Sequence, residues 1–318
     1  MGTPDFASAS LEALLKNRFD VTAVFTQPDK PRGRGMEVSF CDVKKVALAH
    51  DLPVYQPTTL RTEEATELIR ELNPDILVVV AYGKLIPDDI LAIPRYGAVN
   101  VHGSLLPKYR GAAPIQRAIM DGLTVTGNTI QYMADGIDTG DMIAKDEVEI
   151  GENEDFGSLY DRMGKSGGKL LISVVEKIEN GTASAEAQDD SLATYAPKIE
   201  KAECALDFSL SAQTLHNKIR ALSPAPLGVA VLKNEKETKN IKIVSTVVVE
   251  KEGVHGEVGK ILSVDAKKGL ICAACGEGIL GITALVPEGK GKMNAGDFIR
   301  GRKIDAGDVL LTPEFDKK

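Results

Sequence analysis

The stretch Asp75-Ile-Leu-Val-Val-Val-Ala-Tyr82 constrains this chain more than any other. It is apolar on both of the faces that a strand presents in alternation, which suits a central strand covered by helices on each side. It sits among short β-branched runs that alternate with amphipathic stretches through the first ~200 residues, the pattern of βαβ units and a parallel sheet. Residues 21–26, 97–102 and 126–133 read as further strands. Helices are expected over 63–72, with Thr62 as N-cap and Asn73-Pro74 as stop, over 115–121, closed by Gly122, and over 156–178, ended by Asn180-Gly181. Scattered polar residues and Pro197 mark 189–203 as a link between a first domain, 1–188, and a second, 204–318. The second opens with a helix over 211–222, capped by Ser211 and closed by Pro224. Short strands at 229–232, 241–249, 259–264, 269–274 and 278–285 follow, and their glycine-rich turns argue for a small β-barrel.

Length agrees with two domains, since 318 residues exceed the ~100–200 of a typical one. No apolar run approaches the ~20 residues needed to cross a bilayer, and the N-terminus lacks the layout of a secretion signal, so the cytoplasm is the expected compartment. Four cysteines make no disulfide framework in a chain this long. Cys272-Ala-Ala-Cys275 is the one close pair, and a structural zinc site would want a second pair or histidines at ligand spacing, where only His255 is near. Ordinary strand residues are expected there, with a redox or adventitious metal role as the alternative. The net charge of −8 is uneven: residues 201–318 carry 18 Lys+Arg against 15 Asp+Glu (+3), leaving 20 against 31 (−11) in residues 1–200. A partner with phosphates would prefer the C-terminal part or a local basic loop in the first.

Functional-looking residues are densest in Asn100-Val-His-Gly-Ser-Leu-Leu-Pro107. Period-two alternation puts Asn100 and His102 on one face of a strand end, and ligands of open α/β sheets bind beyond the carboxyl ends of strands. An amide can donate to a developing oxyanion there, while an imidazole can accept or relay a proton near neutral pH. The competing reading of His102 is a ring satisfied by backbone hydrogen bonds. A second cluster, Asp135-Gly-Ile-Asp138-Thr-Gly-Asp141, marks a tight turn that Asx geometry alone could explain. A carboxylate from it that reached His102 would orient the ring and stabilise its protonated form. Spacing alone does not bring the two together. Gly164-Lys-Ser-Gly-Gly-Lys169 has the wrong spacing for a phosphate loop, no Gly-x-Gly-x-x-Gly opens the first βα unit, and no His/Asp/Glu group has catalytic-metal spacing.

Taken together, these motifs resemble those of the methionyl-tRNA formyltransferase family. The Asn100–Pro107 run is similar to its Asn-x-His and folate-loop signature, and Gly136-Ile-Asp138-Thr-Gly-Asp141 to the segment with its catalytic Asp. The likeness extends through Gly2-Thr-Pro-Asp-Phe-Ala7, Thr26-Gln-Pro-Asp-Lys-Pro31, Ala81-Tyr-Gly83, Gly111-Ala-Ala-Pro-Ile-Gln-Arg117, Thr194-Tyr-Ala196, Ile219-Arg-Ala-Leu222, Val286-Pro-Glu-Gly-Lys290 and Phe298-Ile-Arg-Gly301, in order along nearly the whole chain.

The resemblance implies an α/β, doubly wound, mostly parallel sheet followed by a C-terminal OB-like β-barrel. It implies Asn100, His102 and Asp138 as the catalytic set, and Ser104, Leu105, Leu106 and Pro107 as the holders of 10-formyltetrahydrofolate. The implied reaction is transfer of that formyl group to the amino group of initiator methionyl-tRNA, by a cytoplasmic monomer without metal or membrane. The loop with Lys30, Arg32 and Arg34 resembles one that wedges against the tRNA acceptor end, Arg34 matching its key arginine. Lys290, Lys292, Arg300, Arg302 and Lys303 are the C-terminal candidates for phosphate contact.

Three departures stand out. The family carries a hydrophobic strand ahead of the Gly-Thr-Pro-Asp-Phe motif, whereas Met1 directly precedes it here, so a first strand is expected to be missing, through a start assigned too far downstream. Met36-Glu37 stands where basic residues usually follow the loop. Pro224-Ala-Pro226 lacks a frequent Trp. The main rival is a formyltransferase acting on an amino sugar nucleotide. A different class, an RNA-binding module without catalysis, conflicts with the intact Asn100/His102/Asp138 set, and a nicotinamide dehydrogenase lacks its glycine fingerprint.

Overall fold

A computed structural model describes residues 1–32, 37–235, 237–301 and 303–314, packed as two compact units. The first comprises Met1–Pro114, Val125–Glu149 and Tyr160–Ala196; the second comprises Ile115–Thr124, Ile150–Leu159 and the chain from Pro197 on. The expected link, 189–203, is thus divided between them.

The elements up to residue 179 are α1 (Asp5–Lys16), β1 (Val24–Phe25), β2 (Lys30–Arg32), β3 (Glu37–Ser39), α2 (Asp42–Ala49), β4 (Val54–Tyr55), α3 (Glu63–Leu72), β5 (Leu77–Val79), α4 (Asp88–Leu91), β6 (Ala98–His102), α5 (Pro114–Met120), β7 (Val125–Tyr132), β8 (Met142–Glu149) and α6 (Phe156–Glu179). The ladders β1·β4 and β5·β6 are parallel, as the βαβ pattern requires. The sheet then continues β5-β6-β7-β8 with antiparallel pairs. Strands β7 and β8 are joined by residues 133–141, too short for a parallel crossover, which takes a dozen residues or more. Asp138 therefore rides on the tip of a hairpin. Pairing with β7 makes β8 a strand despite its Lys145-Asp146-Glu147, so here tertiary context overrides propensity.

Local signals behave as read. The Thr62 hydroxyl accepts from Ala65 N (3.3 Å), and α3 ends at Asn73 in the left-handed region (φ 45°). The glycines of 164–169 have a packing role. A Cβ on Gly167 would sit 3.1 Å from Val101 Cγ1, and one on Gly168 3.0 Å from the Ala9 carbonyl, so they let α6 lie close on β6 and α1.

Met1 and Gly2 occupy the line between the two- and four-stranded sheets. Gly2 N donates to Phe25 O (2.9 Å) and Val80 N to Met1 O (2.9 Å), while the Met1 amine donates to Val78 O (2.7 Å). Burial lowers that amine's pKa to about 5. Alongside runs an apolar cavity of about 170 Å³, lined by Leu11, Leu14, Val24, Ile76, Val78 and Val175 among others. Ser10 also lines it, 2% exposed, and its hydroxyl finds no partner. A buried, unsatisfied hydroxyl costs about 1–3 kcal/mol, and Ala is the better helix former. Ser10→Ala is therefore expected to stabilise the fold by on the order of 1 kcal/mol and so to raise the urea midpoint; a lower midpoint would contradict the assigned burial.

The second unit contains α7 (Ala212–Ala221), β9 (Gly228–Lys233), β10 (Thr238–Glu250), β11 (Ile261–Asp265), β12 (Leu270–Ala274), β13 (Ile279–Pro287), β14 (Met293–Asn294), α8 (Ala295–Arg300) and β15 (Val309–Leu311). Ser211 caps α7 as expected, its hydroxyl accepting from Thr214 N (3.1 Å). The strands form one antiparallel sheet, β11-β12-β13-β10-β9-β15, and a Lys260↔Val309 bridge brings its two ends together, so the sheet curls into a small barrel. Phe208, Leu215, Ile219, Ile243, Ile282, Leu285 and Phe298 fill it. Cys272 lies in β12 and Cys275 just beyond, where burial pushes the Cys275 thiol up to about 11.

His216 of α7 is 1% exposed. Its Nε2 lies 3.1 Å from the Glu152 carbonyl, which can only accept, so Nδ1 is left to accept from the Thr246 hydroxyl at 2.9 Å. Burial, reinforced by Arg220, lowers its pKa. A depressed pKa means that its contribution to stability is complete above the ordinary ~6.5 and is lost as pH falls through the lower folded value. The urea midpoint is expected to drop between pH 7.5 and 5, and His216→Gln to flatten that drop.

Candidate active site

Strand β6 ends at the sheet's carboxyl edge with Asn100 and His102 on one face. Its register with β7 sets Asn100 opposite Gln131 and His102 opposite Thr129. The hairpin tip then brings Asp138 over this edge: its Oδ1 is 3.3 Å from Asn100 Nδ2, and its Oδ2 is 3.5 Å from His102 Nδ1. The three residues that the sequence singled out thus converge. His102 Nε2 donates to the Tyr109 carbonyl at 2.9 Å, which fixes the ring, while Nδ1 faces the carboxylate. With Nε2 committed as a donor, a proton gained at Nδ1 would make the ring a cation beside Asp138.

Asp138 is surrounded by donors. Gly111 N gives its hydrogen to Oδ2 (2.9 Å), and Gln131 Nε2 gives one to Oδ1 (3.2 Å) beside that of Asn100. A group that only accepts satisfies all of them, which is the condition for an ionised carboxylate at a site where its side chain is 15% exposed. The Asn100 amide nitrogen carries two hydrogens, so one remains for a ligand after Asp138 has taken the other. The residues needed here and missed by sequence reading are Gln131 and Gln188, together with the Gly111 N–H. One signal for Gln131 was available, the polar run Asn128, Thr129 and Gln131 inside a strand, all at most 2% exposed.

The loop 104–107 is pinned from beneath. Thr129 Oγ1 donates to Ser104 O (2.7 Å) and accepts from Leu106 N (3.1 Å), and Lys145 Nζ reaches Leu106 O (2.6 Å). Ser104 is fully buried, its hydroxyl spent on Lys108 O (2.6 Å), and Leu106 is 1% exposed. Of the four expected folate-loop residues, Leu105 and Pro107 are the half-buried ones. On the far side, residues 194–196 strap the loop, with Tyr109 N on Thr194 Oγ1 (2.9 Å), Arg110 N on Thr194 O (2.8 Å) and Ala113 N on Ala196 O (3.0 Å).

Among the expected tRNA contacts, Lys30, Lys290, Lys292 and Lys303 are exposed. Arg300 is held by Asp297 and donates to Ala266 O (3.1 Å). Arg34, Arg302 and the Arg32 side chain lie outside the described residues. Among the described residues no group of three or more His, Cys, Asp or Glu could hold a metal ion, and no helix is long and apolar enough to cross a membrane.

Family models for formyl transferase match residues 1–175, and for the formyl transferase C-terminal domain residues 198–303. The methionyl-tRNA formyltransferase of Sulfurihydrogenibium sp. (strain YO3AOP1) is 45% identical over 308 residues, 96% of this chain and 97% of its own. That of Acetivibrio thermocellus is 43% identical over 310 residues, 98% of each chain. The solved N-formyltransferase of Helicobacter canadensis, in complex with folinic acid and dTDP-3-aminofucose, has a TM-score of 0.62 at 22% identity, over 88% of this chain and 96% of its own. The last likeness establishes the fold, and the first two, running almost end to end, establish more: the chain belongs to the methionyl-tRNA formyltransferase family.

Proposed function

We propose that this protein transfers the formyl group of 10-formyltetrahydrofolate to the amino group of initiator methionyl-tRNA. The observation that carries the reading is the convergence of Asn100, His102 and Asp138 at the end of β6, in a chain at least 43% identical to methionyl-tRNA formyltransferases over nearly its full length. The amine attacks the formyl carbon, whose oxygen takes the negative charge. The free hydrogen of the Asn100 amide, and the positive charge that the His102 ring carries once it holds a proton at Nδ1, stabilise that oxyanion. His102, oriented by Tyr109 and Asp138, helps move the proton lost by the amine to the folate nitrogen as the carbon–nitrogen bond to folate breaks. The 104–107 loop, with Leu105 and Pro107 half-buried and its backbone fixed by Thr129 and Lys145, holds the folate.

The reading goes with a cytoplasmic monomer; sedimentation at working concentration tests the monomer. An amino sugar nucleotide is the rival acceptor. Incubation with 10-formyltetrahydrofolate and either acceptor decides between them, and formylation of a dTDP-amino sugar without methionyl-tRNA would overturn the proposal.

For RNA, a net acidic chain is expected to rely on local basic patches. Replacing Lys290 and Lys292 by Ala is expected to weaken tRNA binding without regard to sequence. Every lysine–phosphate pairing so removed should flatten the log–log salt dependence by about 0.7–0.9. An unchanged slope would remove these two lysines from the interface.

A further inference from the structure

Arg110 is 3% exposed, and a guanidinium has donors only. Its Nε and Nη2 both reach Gln188 Oε1 (3.0 and 2.8 Å), and Nη2 also pairs with Asp190 (2.7 Å). This fixes which end of the Gln188 amide is which. Oε1 faces the guanidinium, so Nε2 faces the hairpin tip. There it donates among three acceptors: Gln131 Oε1 (3.1 Å), Asp138 O (2.8 Å) and Gly140 O (2.7 Å). With its oxygen so engaged, Gln131 turns its own Nε2 to Asp138 Oδ1 (3.2 Å). Each amide orientation is dictated by the one before it, and the series ends in a donor on the carboxylate.

The same contacts bear on the backbone. Asp138 sits at φ 55°, in the left-handed region that favours glycine over a residue with a Cβ. Gln188 binds the carbonyls of Asp138 and Gly140, on both sides of the Thr139 turn, and so holds the conformation that aims the carboxylate at Asn100 and His102.

We propose that Gln188 is a positioning residue for formyl transfer: oriented by Arg110, it fixes the backbone of Asp138 and, through Gln131, the donor on its carboxylate. The inference rests on the role proposed above for Asp138. The isosteric Gln188→Glu isolates it, because a carboxylate still accepts from Arg110 but cannot donate to Gln131, Asp138 or Gly140.

In the full-length chain, Gln188→Glu is expected to lower kcat for methionyl-tRNA at least about tenfold, with KM for both substrates within about twofold of the parent. Its thermal midpoint should stay above that of Gln188→Ala, since the pair with Arg110 is retained. Amide exchange across 138–141, read by mass spectrometry without substrate, is expected to speed up. Gln188→Ala should show the same loss of kcat with a lower midpoint, Arg110 keeping Asp190 but having lost the acceptor that Nε and Nη2 share. If Gln188 merely anchors Arg110, Glu will turn over like the parent and exchange will be unchanged, and that result overturns the proposal, as does a loss confined to KM. A parent that fails to formylate methionyl-tRNA would instead overturn the functional reading, and the exchange comparison would still judge the positioning role by itself.

Discussion

Asn100→Ala is expected to lower the turnover of formyl transfer by about 10²–10³ while KM changes little, the effect of removing one preorganised oxyanion donor. The magnitude follows from how the amide is held. Asn100 lies in a strand paired on both sides, with Val79 in parallel and Gln131 in antiparallel register, so its side chain starts from a fixed backbone. One amide hydrogen is committed to Asp138, which sets the direction of the other. A donor fixed before reaction begins needs no reorganisation when charge develops on the formyl oxygen. Single-turnover kinetics with saturating 10-formyltetrahydrofolate measure the chemical step directly. A variant within about threefold of the parent would remove Asn100 from the transition state.

Asp138→Asn is expected to cost on the order of 10²–10⁴ in turnover, the range of a lost general acid–base partner. The substitution keeps size and shape but changes the hydrogen-bond inventory. Three donors point at this side chain, from Gly111, Asn100 and Gln131. An amide can satisfy them with its oxygen alone, and its own NH₂ then meets a donor. With the amide oxygen in place of Oδ1 the NH₂ faces the Gly111 N–H, and with it in place of Oδ2 the NH₂ faces Asn100 and Gln131, so one part of the network is broken either way. A proton taken up at His102 Nδ1 during the reaction, 3.5 Å from the Oδ2 position, would also lack the negative charge beside it. The two substitutions therefore touch one network, and their effects should be less than additive when combined. Full additivity in Asn100→Ala/Asp138→Asn would show that the residues act separately. An Asp138→Asn enzyme near parental turnover would discard the carboxylate's role altogether.

The sequence made β6 legible because period-two alternation fixes which residues share a face once the strand is granted. Asn100 and His102 could be paired on paper for that reason alone. Caps at Thr62 and Ser211 were equally legible, since a capping hydroxyl and its N–H partner lie three residues apart. The strand β8 was hidden, because its polar centre is rescued only by pairing with β7. The 104–107 loop was half legible: its position at the sheet edge was right, but Ser104 turns its hydroxyl inward to Lys108, a choice of rotamer that no local pattern announces.

What the sequence by itself determined is the helix caps, the face that Asn100 and His102 share on β6 and, through motifs in order along the chain, the family. These follow from local periodicity, turn chemistry and residue identity. What only the tertiary structure decided is how the site closes. Asp138 meets Asn100 across 38 residues, Gln188 meets Gln131 across 57, and Arg110 meets Gln188 across 78. Such contacts depend on strand register, on the hairpin tip held at positive φ and on the strap at 186–196. A glutamine's sequence neighbours say nothing about which guanidinium will orient its amide. That orientation arises from buried donors and acceptors that must all be matched at once, a condition on the packed molecule and not on any segment of it.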